Sequence, residues 1–314
     1  MTSTELVPPT LPVVETVSGY PGGPAWLERL PDLVQELGER WELTLKAPFT
    51  GGSCSWVAPV RRADGTRAVL KVSWPHREAA GEAEALRLWR GRGCVRLYEH
   101  DPGRYALLLE HCVPGTGLKD VGHLPVEERL LVGAGVLREL WEAPVPPDTG
   151  LDRVEEVTGA WADTTEERMA RFRPPGFDAG LVALGVRLLR ELPETATRRV
   201  VVHGDLNPGN VLAAQRRPWL AIDAKPMVGD PLYDPWPLIE QIDAPFALPD
   251  PRPVVAARCA LVAGALGEDT ARLQAWAAAR RVESALWAAV ELGAPDTGAA
   301  MLRQARTLAD LAGL

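Results

Sequence analysis

From Val200 to Asp234 the chain reads VVVHGDLNPGNVLAAQRRPWLAIDAKPMVGDPLYD. Val200 to Val202 form a short apolar run of the kind that makes a buried strand, and the run ends at His203-Gly204-Asp205. Pro208 and Gly209 break any regular element beyond it, and Asn210 comes five positions after Asp205. Asn210–Leu212 and Trp219–Ile222 then read as two short strands around a polar turn, Gln215-Arg216-Arg217-Pro218. Asp223 closes the second strand, thirteen positions after Asn210. The spacing predicts a carboxylate, an amide and a second carboxylate gathered at one end of a small hairpin.

Phosphoryl transfer from a nucleotide requires that set. One carboxylate orients the acceptor hydroxyl, while an amide oxygen and a second carboxylate hold magnesium. Asp205-x-x-x-x-Asn210 has the spacing of a kinase catalytic loop, and Asp223 falls where the metal-binding Asp of that loop's partner segment would stand. A solitary His-Gly-Asp is ordinarily a solvated turn. The ordered set of three is what carries the chemistry.

HGDLNPGN followed by IDAKPMVGDPLYD resembles the aminoglycoside phosphotransferases, most closely the branch of streptomycin 6-kinases and hydroxyurea phosphotransferases. The resemblance implies an α+β, protein-kinase-like bilobal fold. Its N-lobe (residues 1–112) would carry a five-stranded antiparallel sheet and a helix, and its C-lobe (113–314) would be mainly helical around the catalytic hairpin. Residues 1–23, with Pro8, Pro9, Pro12 and Pro21 and little periodicity, read as a poorly ordered arm or short lead-in to the N-lobe, and the apolar spacing over Trp26–Trp41 predicts an amphipathic helix. The resemblance implies ATP, or another nucleoside triphosphate, as donor with Mg²⁺. It also implies O-phosphorylation of a small molecule, with streptomycin leading by branch and hydroxyurea or a metabolite such as a sugar or amino alcohol as alternatives. A catalytically dead nucleotide-binding relative would lack one of the key Lys, Asp or Asn residues, and all are present.

Within that frame Asp205 is the catalytic carboxylate, and Asn210 and Asp223 are the metal ligands. Asp223-Ala224-Lys225 stands where a protein kinase has Asp-Phe-Gly, which makes Lys225 the unusual residue. Its ammonium would reach either the transferred phosphoryl group or an acidic neighbour such as Asp230. Gly204 replaces the Arg of His-Arg-Asp, which in protein kinases answers a phosphorylated activation loop. No such loop fits between Asp223 and Leu232, so a small acceptor is expected.

Upstream, Trp41–Leu45, a strand entering at Trp56 and Arg67–Val72 read as the first three strands, with Asp64-Gly65 as a tight hairpin turn. Residues Gly51-Gly52-Ser53 form a small-residue turn whose Ser53 is a candidate for the donor phosphates, though a plain hairpin turn explains it as well. Lys71 stands out in its apolar strand. The chain has only four lysines, Lys46, Lys71, Lys119 and Lys225, among 34 basic residues, so a lysine marks a need for a compact ammonium. In a kinase lobe this residue grips the α- and β-phosphates and is oriented by a helix glutamate. Arg77–Trp89 is the helix, with Glu82 as the partner and Glu78 in reserve. Val95–Glu99 and Tyr105–Glu110 complete the sheet, and the backbone of Glu110 and Cys112 is the expected adenine contact.

From Pro125 onward the texture is helical: Val126–Trp141, Glu155–Phe172, Asp178–Leu192, Leu232–Ile242, Val254–Leu266, Thr270–Leu292 and Gly298–Leu311. Glu240 and Asp243 are candidate contacts for a polycationic substrate, against the plainer reading of solvated carboxylates.

Composition bounds the rest. The chain has 314 residues, 46% hydrophobic and 24% charged, which is ordinary for a soluble protein of two lobes. Net charge is −8, against the basic balance of a nucleic-acid binder and mildly in favour of a cationic small-molecule partner. Four cysteines without paired metal spacing fit a cytoplasmic chain. No apolar run reaches the roughly 18 residues of a membrane span, and no signal peptide is visible.

Overall fold

Lys71 sits on the middle strand of an antiparallel sheet. In the computed structural model, which describes residues 3–314, β1 (Thr44–Leu45), β2 (Ser55–Arg61), β3 (Arg67–Ser73), β4 (Leu97–Asp101) and β5 (Ala106–Glu110) pair in the order β1-β2-β3-β5-β4. The register sets Val57 opposite Lys71 on one side and Leu107 opposite it on the other. Strand alternation then sends every second residue to one face. Trp56, Ala58 and Val60 of β2 join Ala68, Leu70 and Val72 of β3 in one buried apolar cluster.

The N-terminal residues depart from expectation. Residues before 23 are not a poorly ordered arm or lead-in but two short helices, α1 (Ser3–Leu6) and α2 (Pro12–Ser18), while the helix expected over Trp26–Trp41 is present as α3 (Gly23–Arg40). Met1 and Thr2 lie outside the described residues. Leu6, Leu11, Val13 and Val17 are buried in the same cluster as Leu30, Val34, Leu37 and Trp56, and the Trp56 indole N–H donates to the Leu6 carbonyl at 2.6 Å. Of the prolines read against helix, Pro12 instead starts one, and Pro24 likewise lies in the first turn of α3, where the missing N–H costs nothing. Two short helices also give too few residues each for a legible period. The strand expected at Trp41–Leu45 shrinks to Thr44–Leu45, because Trp41 caps α3 and Glu42 takes a positive φ of 52°.

Helix α4 (Arg77–Trp89) follows β3, and α5 (Val126–Trp141), α6 (Val154–Phe172) and α7 (Ala179–Glu194) follow the sheet. Asp178 caps α7 by accepting from the Gly180 and Leu181 N–H groups. Strand β6 (Val200–Val202), fully buried, pairs antiparallel with β9 (Met227–Gly229), while β7 (Val211–Ala213) and β8 (Trp219–Ala221) form a hairpin. Strand β9 was not foreseen, being three residues long and close behind Pro226. The helix expected over Leu232–Ile242 is a single 3-10 turn at Pro231–Tyr233 and then α8 (Trp236–Gln241), interrupted at Pro235. Helices α9 (Pro251–Leu266), α10 (Thr270–Val290) and α11 (Pro295–Leu311) complete the chain, with α10 packed against α6, α7, α9 and α11.

The chain forms two compact units, Met1–Gly115 with Ala213–Leu220, and Thr116–Leu212 with Ala221–Leu314. The tip of the β7–β8 hairpin therefore belongs with the sheet unit, which the linear division at residue 112 does not provide for.

Candidate active site

In the second unit the end of β6 is clamped by a buried carboxylate. Asp234 accepts from the His203 N–H at 2.8 Å, the Gly204 N–H at 2.7 Å and the Trp141 indole at 3.1 Å. Burial pushes its pKa up against those donors. His203 is fully enclosed: its Nε2 meets the Ile222 carbonyl at 3.0 Å and its Nδ1 meets the Asp205 N–H at 3.3 Å. That pattern makes it the neutral Nε2–H tautomer, and burial lowers its pKa despite the nearby charges of Asp234, Asp205 and Asp223. One imidazole thus ties the loop after β6 to the loop after β8.

Asp205 emerges from this brace partly exposed, with 26% of its side chain accessible. Asn207 donates to its Oδ1 at 3.2 Å, and the Lys225 ammonium lies 3.3 Å from its Oδ2. Asn210 turns its Nδ2 to the Asp205 carbonyl at 2.9 Å, and its own carbonyl accepts from the Ile222 N–H at 2.9 Å. The amide oxygen of Asn210 is thereby the atom left to meet a cation, next to the residue that precedes Asp223. Asp223 adopts a left-handed φ of 58°, which costs a non-glycine residue about 1 kcal/mol or more. The chain then turns back so that the Lys225 N–H donates to the His203 carbonyl at 2.8 Å. Gly204, at φ 83°, faces the Lys225 carbonyl so closely that a Cβ would sit 2.0 Å from that oxygen. The glycine where a protein kinase has arginine is thus a steric requirement of this loop pair.

Mg²⁺ fits this donor set. It takes hard oxygen ligands and keeps several positions for water and phosphate. Asn210 and Asp223 are the residues whose oxygens would hold it, and among the described residues no cluster of three or more His, Cys, Asp or Glu is arranged as a complete metal cage.

In the first unit Lys71 and Glu82 form a buried ion pair, Nζ to Oε2 at 2.5 Å, with side chains 7% and 3% exposed. Glu82 on α4, rather than Glu78, is the partner. Ser53 is exposed in the loop before β2, and Gly52 there has φ 94°. The Glu110 N–H is taken by the Arg96 carbonyl at 2.8 Å, so its carbonyl is the backbone group left for an adenine contact. The Glu110 carboxylate is gripped by Arg216, with Nε 2.8 Å from Oε1 and Nη2 2.8 Å from Oε2. Cys112 is buried, and burial pushes its thiol up to about 12, so it is not a nucleophile.

Two sequence candidates stand differently from expectation. Glu240 is paired with Arg281 at 2.9 Å and Asp243 with Arg129, so each is held by an arginine instead of standing alone in solvent. Asp230 is engaged by Arg272 and the Trp276 indole, and Lys225 makes an ion pair with Asp205. Reading the sequence missed Arg216, hidden in an apparently solvated turn, and the bracing roles of His203 and Asn207. His203 had a signal, since a lone histidine directly after an apolar strand is placed to be buried.

A sequence profile of the family described as aminoglycoside/hydroxyurea antibiotic resistance kinase matches residues 40–292. The chain is 39% identical over 266 residues to a streptomycin 6-kinase of Streptomyces glaucescens, covering 84% of this chain and 85% of that one. It is 37% identical over 281 residues to a hydroxyurea phosphotransferase of Kitasatospora aureofaciens, covering 90% and 79%. Among solved structures, an aminoglycoside phosphotransferase APH(4)-Ia in ternary complex with AMP-PNP and hygromycin B shares the fold with a TM-score of 0.59 at 17% identity, over 87% of this chain and 97% of that one. A profile match across most of the length and relatives this similar over more than four fifths of the chain agree with the loop chemistry, and the chain belongs to the aminoglycoside/hydroxyurea antibiotic resistance kinase family.

Proposed function

We propose that the protein transfers the γ-phosphoryl group of ATP to a hydroxyl of a streptomycin-type aminoglycoside. The observation that carries the proposal is the Asp205 carboxylate, steadied by Asn207 and Lys225, with the Asn210 amide donating to the Asp205 carbonyl and the Asp223 charge close enough to act on His203. A loose phosphoryl-transfer transition state asks little of base strength and much of position. Asp205 orients the acceptor hydroxyl and takes its proton as the new bond forms. Asn207 holds the carboxylate in one rotamer, and the His203–Asp234 brace fixes the backbone beneath it. Asn210 and Asp223 would hold Mg²⁺, which would neutralise phosphate charge when bound. Lys71, oriented by Glu82, grips the α- and β-phosphates. The Ser53 loop covers them, and the Glu110 carbonyl with the Cys112 N–H reads the adenine edge.

Streptomycin leads as acceptor because streptomycin 6-kinases share 38–39% identity with this chain, and a net charge of −8 favours approach of a polycation. Hydroxyurea is the second reading, on the strength of the relative at 37% identity. Four cysteines without a disulfide suit a reducing, cytoplasmic setting. The test is ADP release from ATP with streptomycin, hydroxyurea, hygromycin B and choline offered singly. Streptomycin-dependent release at the highest kcat/KM is the expected result. Preference for hydroxyurea would install the second reading, and release with no acceptor in the panel would remove the first.

A further inference from the structure

We infer that Lys225 is a catalytic residue whose ammonium bridges the Asp205 carboxylate and the phosphoryl group in flight. The inference rests on the phosphotransferase reading above and adds a group to it. Lys225 is held by its backbone on both sides, through the N–H to the His203 carbonyl at 2.8 Å and through a carbonyl packed against Gly204 so tightly that a Cβ there would come within 2.0 Å. Its Nζ lies 3.3 Å from Asp205 Oδ2. The side chain is 44% exposed, so it is not buried for packing. In a chain that almost always uses arginine for positive charge, position 225 keeps a lysine. An ammonium is a compact donor with three N–H groups and can serve a carboxylate and a phosphoryl oxygen together, which a planar guanidinium does less well in so short a reach. The Lys225 backbone excludes any side chain at 204, so position 204 cannot supply a cation beside Asp205, and position 225 does.

In the step, the acceptor oxygen forms its bond to the γ-phosphorus and loses its proton to Asp205. The bond from that phosphorus to the β–γ bridging oxygen breaks, and its electron pair leaves with ADP. Lys225 stays protonated throughout, one N–H on the Asp205 carboxylate and another on an equatorial phosphoryl oxygen. Removing a donor aimed at developing charge typically lowers turnover by about 10²–10³.

The experiment compares wild type, Lys225→Met and Lys225→Arg in two measurements. Steady-state kinetics with ATP and the best acceptor of the panel should show kcat down about 100-fold in Lys225→Met, KM values changed little, and partial recovery in Lys225→Arg. Calorimetry with Mg²⁺ and ADP, without and then with aluminium fluoride as a phosphoryl mimic, should show unchanged ADP affinity but loss of the extra tightening in Lys225→Met. Retention of both wild-type kcat and tightening overturns the inference. So does a loss of ADP affinity or of melting temperature that accounts for the whole effect, since that marks a structural lysine. Wild type that turns over no acceptor, yet binds the ADP–aluminium fluoride probe in a Lys225-dependent way, would refute the acceptor assignment and leave Lys225 standing.

Discussion

At the scale of single residues the structure makes strong demands at three positions. Gly204 tolerates no Cβ, because its φ of 83° and the Lys225 carbonyl leave no room. Gly204→Ala should therefore cost about 3 kcal/mol or more and abolish turnover, which thermal unfolding and ADP release would register together. Asp234 satisfies three buried donors, and Asp234→Ala leaves them all without an acceptor. The expected loss is about 3–5 kcal/mol, readable by denaturant titration, and a loss under about 1 kcal/mol would contradict the bracing role. His203 adds a pH dependence. Its folded pKa lies below the ordinary value of 6.5 because burial disfavours the imidazolium. The unfolded chain then binds the extra proton first, so stability falls as pH drops below about 6.5 and levels off under the folded pKa. Asp234 and Glu283, whose pKa values burial raises, bind protons preferentially when folded and oppose that slope at lower pH. The difference between wild type and His203→Asn isolates the histidine: the variant should lose less stability between pH 7 and pH 5. Asp205, Asn210 and Asp223 stood out in the sequence because the chemistry proposed for them fixes residue type and spacing. The brace was less so, because a buried His and Asp thirty-one residues apart are joined only by the fold.

Elements follow the same division. Helices α5, α9, α10 and α11 were legible from long apolar periodicity, and Asp178 from its capping chemistry. Strand β9 and helices α1 and α2 were too short for their period to show. The β7–β8 hairpin was read as an element, but not its attachment. Arg216 at its tip also donates to the Gly91 and Cys94 carbonyls, both at 2.8 Å, so one side chain ties the hairpin to the end of β5 and the turn after α4. Arg216→Met should loosen the Glu110–Cys112 backbone and raise KM for ATP several-fold with the acceptor KM little changed. Equal effects on both substrates would count against that specific role.

Across the whole molecule, the N-terminal helices were where the sequence reading failed. Prolines at 8, 9, 12 and 21 suggested an arm, and the fold uses the segment as core. Each large apolar side chain buried there contributes about 1.5–3 kcal/mol. Deleting residues 1–18 should therefore lower the melting temperature markedly or prevent folding, and a truncated protein that melts like the full chain would overturn the assignment. The central claim is that a phosphoryl group moves from ATP to an acceptor hydroxyl held by Asp205. Mass spectrometry of streptomycin after incubation with ATP, Mg²⁺ and either wild type or Asp205→Asn tests it most directly. The account predicts a phosphorylated product with wild type and a rate at least about 10³-fold lower with Asp205→Asn, while calorimetry shows ATP still bound. Undiminished phosphorylation by Asp205→Asn would contradict it.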